Sequence, residues 1–284
     1  MLTNTKESSA VGCENEYAPL RRVILCPPRF MEIKEVINEV QENYKDENID
    51  TKKALEQHSA FVKALEQNGI ETVLLKPATQ FPEQVFTRDI AFTIGEKVFL
   101  GSMASEIRKG EEKNLKQWLE NQRIAFEQLS GTPVEGGDVL LDRAKVFVGI
   151  SSRTSEQAIQ ELEQNLPNHR VLPIPFDDKY LHLDCVFNIL SPTEALVFPE
   201  AFSCQTINLL AEHYDLIRVS REEQFSLGVN VLSIGNKHVF SQPQNVKVNQ
   251  QLISRGYRVI EIDFSEIIKS GGAFRCCTMP LVRE

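Results

Sequence analysis

The chain has 284 residues, 42% of them hydrophobic and 25% charged, the balance of a globular protein with enough apolar material for a sizeable core. A formal net charge of -9 opposes binding to nucleic acid or to an anionic membrane surface. The mixed polar start has no apolar core of a signal peptide, and no later run approaches the ~18 apolar residues of a membrane span, so a cytoplasmic protein is expected.

Residues 1–18 read as a flexible lead into Leu20-Arg-Arg-Val-Ile-Leu-Cys26, an apolar run of strand type. Thr51–Gln67 is predicted as a helix, because Ala54, Leu55, Phe61, Val62 and Leu65 recur near the helical period and Gly69 stands where a C-terminal cap belongs. Thr72-Val-Leu-Leu75 follows as a strand. From Asp89 onward the chain becomes periodic. Asp89-Ile-Ala-Phe, Asp138-Val-Leu-Leu, Asp184-Cys-Val-Phe, Asn230-Val-Leu-Ser and Cys276-Cys-Thr-Met open alike, at intervals of 49, 46, 46 and 46 residues. A fixed period of this size marks one supersecondary unit used several times.

Within a unit, a short apolar run, a polar turn and a second apolar run give a hairpin signal, as in Ile90-Ala-Phe-Thr-Ile94, Gly95-Glu-Lys97 and Val98-Phe-Leu-Gly101. Helices are predicted over 107–126, 155–166, 201–214 and 246–253, the last capped by Gly256. Arg170-Val-Leu-Pro, Asp215-Leu-Ile-Arg-Val and Arg258-Val-Ile-Glu-Ile close their units as third strands. The unit is therefore ββαβ. Residues 276–282 open a fifth unit that lacks a partner, and the run at 20–26 can supply it, closing a ring and removing exposed sheet edges. The expected fold is α/β, a five-fold pseudosymmetric αβ propeller forming one catalytic domain over 1–284. Arranged around an axis, the opening residues Asp89, Asp138, Asp184, Asn230 and Cys276 converge on the centre, a polar set suited to a cationic substrate.

The six cysteines are too sparse for a disulfide scaffold and none has C-x-x-C spacing; with five scattered histidines, no zinc site is expected. Most of these thiols should be small buried apolar groups. Cys276 differs, because it takes the place that aspartate holds in other units and follows Gly271-Gly272 and Arg275, a backbone that lets a ligand come close. Cys277 is expected on the opposite face of the same strand, in the core. His182 is expected on one strand face with Asp184, where an imidazole can take and return a proton. Glu135-Gly-Gly-Asp138 sets two carboxylates around two glycines, Glu135 to orient His182 and Asp138 to line the pocket. Phe86-Thr-Arg-Asp89 adds an aromatic and a further carboxylate. Plain structural readings compete with each of these: a buried thiol in a closing strand, a structural histidine, an ordinary turn, and a surface pair of Arg88 with Asp89.

Phe86-Thr-Arg-Asp, Glu135-Gly-Gly-Asp, Ser152-Arg-Thr, His182-Leu-Asp and Arg275-Cys-Cys-Thr-Met-Pro, in this order, resemble the guanidino-group modifying enzymes of the pentein superfamily. The likeness runs from about Leu20 to the C-terminus, and in length and pattern it is greatest to the dimethylargininases; Pro82-Glu-Gln-Val-Phe and Ile150-Ser-Ser-Arg-Thr resemble their substrate-binding segments. The resemblance implies Cys276 as nucleophile, His182 as general acid and base, and Glu135 as its orienting partner. It implies that Asp89 grips the guanidinium, Phe86 packs against it, Arg153 and Arg108 hold the substrate carboxylate, and Glu83 meets the α-amino group. His182-Leu-Asp184 departs from this pattern toward the arginine deiminases, where the aspartate bonds a second side of the guanidinium and favours unsubstituted nitrogens.

The implied reaction needs neither metal nor organic cofactor: Cys276 attacks the guanidinium carbon of an N-omega-methylated arginine, methylamine or dimethylamine leaves, and water resolves a thiouronium to citrulline. Alternatives are an arginine deiminase, an amidinotransferase passing the group to an acceptor amine, and a non-catalytic ribosome-binding factor resembling translation initiation factor six. A small guanidino compound is the expected partner, with a homodimer as a candidate assembly.

Overall fold

A computed structural model of the chain describes residues 10–129 and 132–284. Strands β1 (Leu20–Leu25) and β2 (Glu71–Leu74) run parallel, joined through the helix Thr51–Gln67. The next three strands, β3 (Ala91–Ile94), β4 (Lys97–Leu100) and β5 (Phe126–Gln128), pair as an antiparallel hairpin followed by a parallel strand, with the helix Glu112–Gln122 as the crossover. That pattern recurs in β6 (Val139–Asp142), β7 (Lys145–Ile150) and β8 (Arg170–Pro175) around Glu156–Asn165. It recurs again in β9 (Phe187–Ile189), β10 (Glu194–Val197) and β11 (Asp215–Arg218) around Cys204–Ala211. The fourth copy is β12 (Leu232–Gly235), β13 (His238–Ser241) and β14 (Arg258–Glu261) around Val246–Ser254. Finally β15 (Met279–Arg283) pairs antiparallel with β1, Leu20 opposite Arg283 and Ile24 opposite Met279. The described residues thus form five three-stranded sheets of ββαβ type, the fifth assembled from both ends of the chain as the sequence predicts.

Local chemistry sets the helix ends. Asp50 accepts from the backbone N–H groups of Lys52 and Lys53, and Ser155 and Ser203 cap Ala158 and Thr206 in the same way. Gly69 and Gly256 take the left-handed conformation after their helices, at φ 77° and 84°. The predicted helix over 107–126 is shorter: Gly110 turns at φ 96°, Arg123 ends it in the left-handed region, and Phe126 already belongs to β5. The 201–214 helix likewise shrinks to Cys204–Ala211, because Pro199–Ala201 forms a separate turn. Short helices at Glu39–Tyr44 and Arg221–Phe225 carry no strong period and were not expected.

Each unit's opening residue sits on the turn just ahead of its first strand, and all five are at most 1% exposed. Neighbouring units are stitched there. Asn230 is the busiest link: its Oδ1 accepts from the N–H of Cys276 at 3.1 Å and its Nδ2 donates to the carbonyl of Asp184 at 3.1 Å. Asp138 Oδ1 accepts from the N–H of Leu183 at 2.8 Å, Arg88 N–H donates to the Cys276 carbonyl at 3.0 Å, and Ser102 N–H donates to Val134 O at 2.8 Å. A run of hydrogen bonds therefore passes from unit to unit around the axis. The loop carrying Cys276 is fixed from behind by Phe274, which stacks on Phe264 at 4.3 Å and meets Phe61 edge-on at 5.3 Å. Truncating a buried Phe of this kind costs about 3–5 kcal/mol.

The described part of the expected flexible lead over residues 1–18 is anchored to the fold. Residues 1–9 lie outside the described residues, but from Gly12 the segment bridges three units, pairing Gly12 with Val282, Cys13 with Gly95 and Asn15 with Asp142. Glu16 is the reason it is anchored. Its Oε1 accepts from Arg275 Nη2 at 3.0 Å and Leu141 N–H at 3.2 Å, and its Oε2 lies 3.7 Å from Arg88 Nη1. Arg88 therefore is no surface partner of Asp89; it is buried and faces Glu16.

Burial alone would raise the Glu16 carboxyl, but Arg275, Arg88 and Arg283 outweigh it and hold the group at about 2, below its ordinary 4.5. A depressed carboxyl stabilises the fold above its unfolded value and loses that contribution as pH falls toward 2. Glu16→Gln should cost about 3–5 kcal/mol in urea denaturation at neutral pH, the penalty of breaking a buried pair. A loss below about 1 kcal/mol would show that the arginines do not depend on it.

Candidate active site

Glu135, Asp89 and His182 meet on the axis. Glu135 Oε2 lies 2.7 Å from His182 Nε2, and its Oε1 accepts from the N–H of Ala104 at 2.9 Å, which fixes the carboxylate. On the other side of the ring, His182 Nδ1 is 3.5 Å from Asp89 Oδ1. Neither of those two atoms makes a hydrogen bond among the described residues, although both are buried. They are polar atoms held ready for a ligand. Two glycines permit the approach. A Cβ on Gly137 would stand 2.7 Å from the His182 ring and 2.8 Å from Asp89 Oδ1; one on Gly272 would stand 2.5 Å from the Phe86 ring and 3.0 Å from the Cys276 Cβ.

His182 is not on a strand, as its spacing from Asp184 suggested. It is an extended residue at φ -143°, entering the one-turn helix Leu183–Cys185 that sets Asp184 beside Cys276. Cys276 and Cys277 likewise sit in a turn ahead of β15, both buried, instead of on opposite strand faces. Cys276 Sγ lies 3.6 Å from both oxygens of Asp184. Arg275 Nη1 bonds Asp184 Oδ2 at 2.6 Å while its Nη2 bonds Glu16 and the Val139 carbonyl, each at 3.0 Å. Arg275 was read only as a neighbour of Cys276; its role in seating Asp184 becomes visible once Glu16 is placed beside it.

The remaining predicted residues divide. Phe86 is buried against Gly272, beside Cys276. Glu83 is buried and accepts from Ser270 Oγ and from Gln41 Nε2 at 2.9 Å; burial, only partly offset by Arg108, pushes its carboxyl up to about 7. Asp138 faces its own loops instead of a ligand, accepting from Leu183 N–H and from Ser151 Oγ at 2.7 Å; burial raises it to about 6. Arg153 is available: Nη2 donates to the Ile37 carbonyl at 2.9 Å, but Nη1 has no hydrogen-bond partner among the described residues and lies 3.9 Å from Glu135. Arg108 is not. Its buried guanidinium is clamped between Asp89 Oδ2 at 2.7 Å and Glu111 Oε2 at 2.9 Å, so its donors are engaged before any substrate carboxylate arrives. Gln41 and Ser270, which no sequence signal marks, close the site over Glu83.

Electrostatics give His182 its state. Burial alone would lower its pKa, but Asp89 and Glu135 outweigh burial and raise it to about 10. Burial also raises Asp89, against the pull of His182 and Arg108, whereas Glu135 is lowered because its bond to His182 overcomes burial. The imidazolium therefore carries a proton at neutral pH, the state a general acid needs. Asp89, Glu135 and His182 lie close enough together to hold a metal ion; Arg108 takes up Oδ2 of Asp89 and leaves Oδ1 open.

A raised histidine stabilises the fold fully below its ordinary 6.5 and loses that contribution as pH climbs through about 10. Glu135→Gln removes one of the two carboxylates, so the His182 imidazole resonances in NMR should titrate at lower pH than in the unaltered protein. An unchanged midpoint would show that Asp89 alone holds the proton.

Comparisons with known proteins agree with this arrangement. The family model described as N,N dimethylarginine dimethylhydrolase, eukaryotic, matches residues 27–283. The uncharacterised protein YkgA of Bacillus subtilis is 54% identical over 98% of this chain and 97% of its own. The N(G),N(G)-dimethylarginine dimethylaminohydrolase of Pseudomonas aeruginosa is 26% identical over 81% of this chain and 89% of its own. Among solved structures, the N-terminal domain of ArgZ, a cyanobacterial arginine dihydrolase, superimposes with a TM-score of 0.86 at 25% identity, covering 92% of this chain and 97% of that domain. The fold is that of the penteins, and the chain is an amidine hydrolase belonging to the N,N dimethylarginine dimethylhydrolase family.

Proposed function

We propose that this chain hydrolyses the guanidino group of N-omega-methylated arginine, releasing citrulline and methylamine or dimethylamine through a thiouronium on Cys276. The observation that carries the reading is the protonated His182 held between Glu135 and an unpartnered Asp89 oxygen, with the Cys276 thiol on the adjoining Asp184. Asp89 Oδ1 accepts a guanidinium N–H, and the bound cation favours the thiolate of Cys276. The thiolate forms a bond to the guanidinium carbon, and His182 gives its proton to the departing amine. Water then adds to the thiouronium carbon, neutral His182 takes its proton, and the C–S bond breaks to regenerate the thiolate. Arg153, whose Nη1 makes no hydrogen bond among the described residues, supports the reading in which it holds the substrate carboxylate, and the same reading gives the buried Glu83 the α-amino group.

Arginine itself is the second reading, and Asp184 favours it. A carboxylate beside the nucleophile accepts hydrogen bonds from guanidinium N–H groups, and each methyl group removes one such donor.

Purified protein should be incubated in parallel with asymmetric dimethylarginine, monomethylarginine, arginine and agmatine, with citrulline-type product and released amine both measured. Dimethylamine release supports the first reading, ammonia from arginine alone the second, and no turnover of any of them overturns both. Cys276→Ser should abolish turnover in a folded protein, and His182→Ala should lower kcat by about 10²–10⁴. Retained activity in Cys276→Ser would remove the covalent mechanism.

A further inference from the structure

A second buried charge cluster is joined to the candidate active site through Arg275. Arg275 bonds both Asp184 and Glu16, and Glu16 lines a small cavity together with Cys13, Arg88 and Arg283. The guanidinium of Arg88 is only partly used there. Its Nη1 faces Glu16 Oε2 at 3.7 Å, while Nε and Nη2 are buried and make no hydrogen bond among the described residues. Those two atoms form one edge of the group, the fork that grips an anion through two parallel N–H bonds. Arg283 has a donor to spare as well. Its Nη1 donates to the Ala18 carbonyl at 2.7 Å and its Nη2 to the Ser233 carbonyl at 2.9 Å, but Nε has no such partner.

The charges do not balance. Arg88, Arg275 and Arg283 are three buried cations, and the carboxylates that act on them are two, Glu16 and Asp184, which leaves one positive charge in excess. Glu16 is already shared, since its Oε1 accepts from Arg275 and from the Leu141 N–H. Cys13 supplies no counter-charge, because burial raises its thiol to about 12. Burial, and after it Arg275, push the Arg88 guanidinium down to about 10, and Glu16 offsets them only in part. A buried cation in this state is costly until an anion reaches it. The cavity has room for about one water-sized particle, so a monatomic anion fits where sulfate or phosphate does not.

We propose that Arg88 and Arg283 bind a single halide-class anion, chloride, in this cavity, where it balances the excess charge between the N-terminal segment and the closing strand. The site is independent of the proposed reaction and of its substrate. Its two arginines lie at opposite ends of the repeat, so no motif spacing announces them.

Urea denaturation should be followed at constant ionic strength while sodium gluconate, whose anion is too large for the cavity, is exchanged for sodium chloride. Above half-saturation, each tenfold rise in chloride should lower the unfolded-to-folded ratio about tenfold. Arg88→Gln should remove this dependence, and Arg283→Gln should move it to higher chloride. Because stability is read without substrate, failure of the proposed activity leaves the outcome decided. No chloride dependence in the unaltered protein, or an equal dependence in Arg88→Gln, overturns the site. Should neither variant fold, crystals of the unaltered protein grown in bromide give the answer at the bromine absorption edge. An anomalous peak against the Arg88 guanidinium is expected there; its absence, with or without peaks on surface side chains, overturns the proposal.

Discussion

Ionic charge buried on the axis is the constraint that the rest of this structure answers to. Asp89, Glu135, Asp184, Glu16 and Glu111 are all at most 7% exposed, and each faces a buried cation. An unpaired carboxylate at such depth would take up a proton and lose its charge. Arg275 and Arg108 keep four of these carboxylates fixed, each bridging two acidic groups. Paired charge of this kind adds little net stability, since desolvation offsets attraction. What it supplies is position, and the five stacked sheets supply the apolar wall that makes position possible.

Much of this was legible in the sequence because the repeat is covalent information. The 46-residue interval puts Asp138, Asp184, Asn230 and Cys276 at equivalent places, and the structure sets each on the turn before its first strand. Alternation and helical period found the crossovers, while capping glycines found their ends. The pairing of β1 with β15 followed from counting strands, one too few at one end and one too many at the other.

Other features depend on contacts that no local pattern encodes. Glu16 sits in a polar stretch with no period, and only the tertiary neighbourhood of Arg88, Arg275 and Arg283 marks it as structural. Arg108 looked free because sequence gives the charge of a side chain but not the carboxylates that will reach it first. His182 and Cys276 were placed on strands because polar residues flanking apolar runs resemble strand ends. Single helical turns are too short to leave a period of their own, and here they carry Asp184 and Asp138, with His182 just ahead of one.

The pairing of Leu20 with Arg283 has a consequence for how the molecule is made. During synthesis β1 emerges among the first elements, yet its antiparallel neighbour comes last, along with Cys276. Until then an apolar strand edge stays open and four units surround an axis that lacks Cys276. A ribosome-bound chain thus presents a sticky edge and an inert pocket, and both are resolved in one closing step. Loop closure over nearly the full length makes that step slow relative to the local hairpins. The same closure makes the placement of Cys276 a reporter of completed folding, since the strand that shuts the ring follows it by only a few residues.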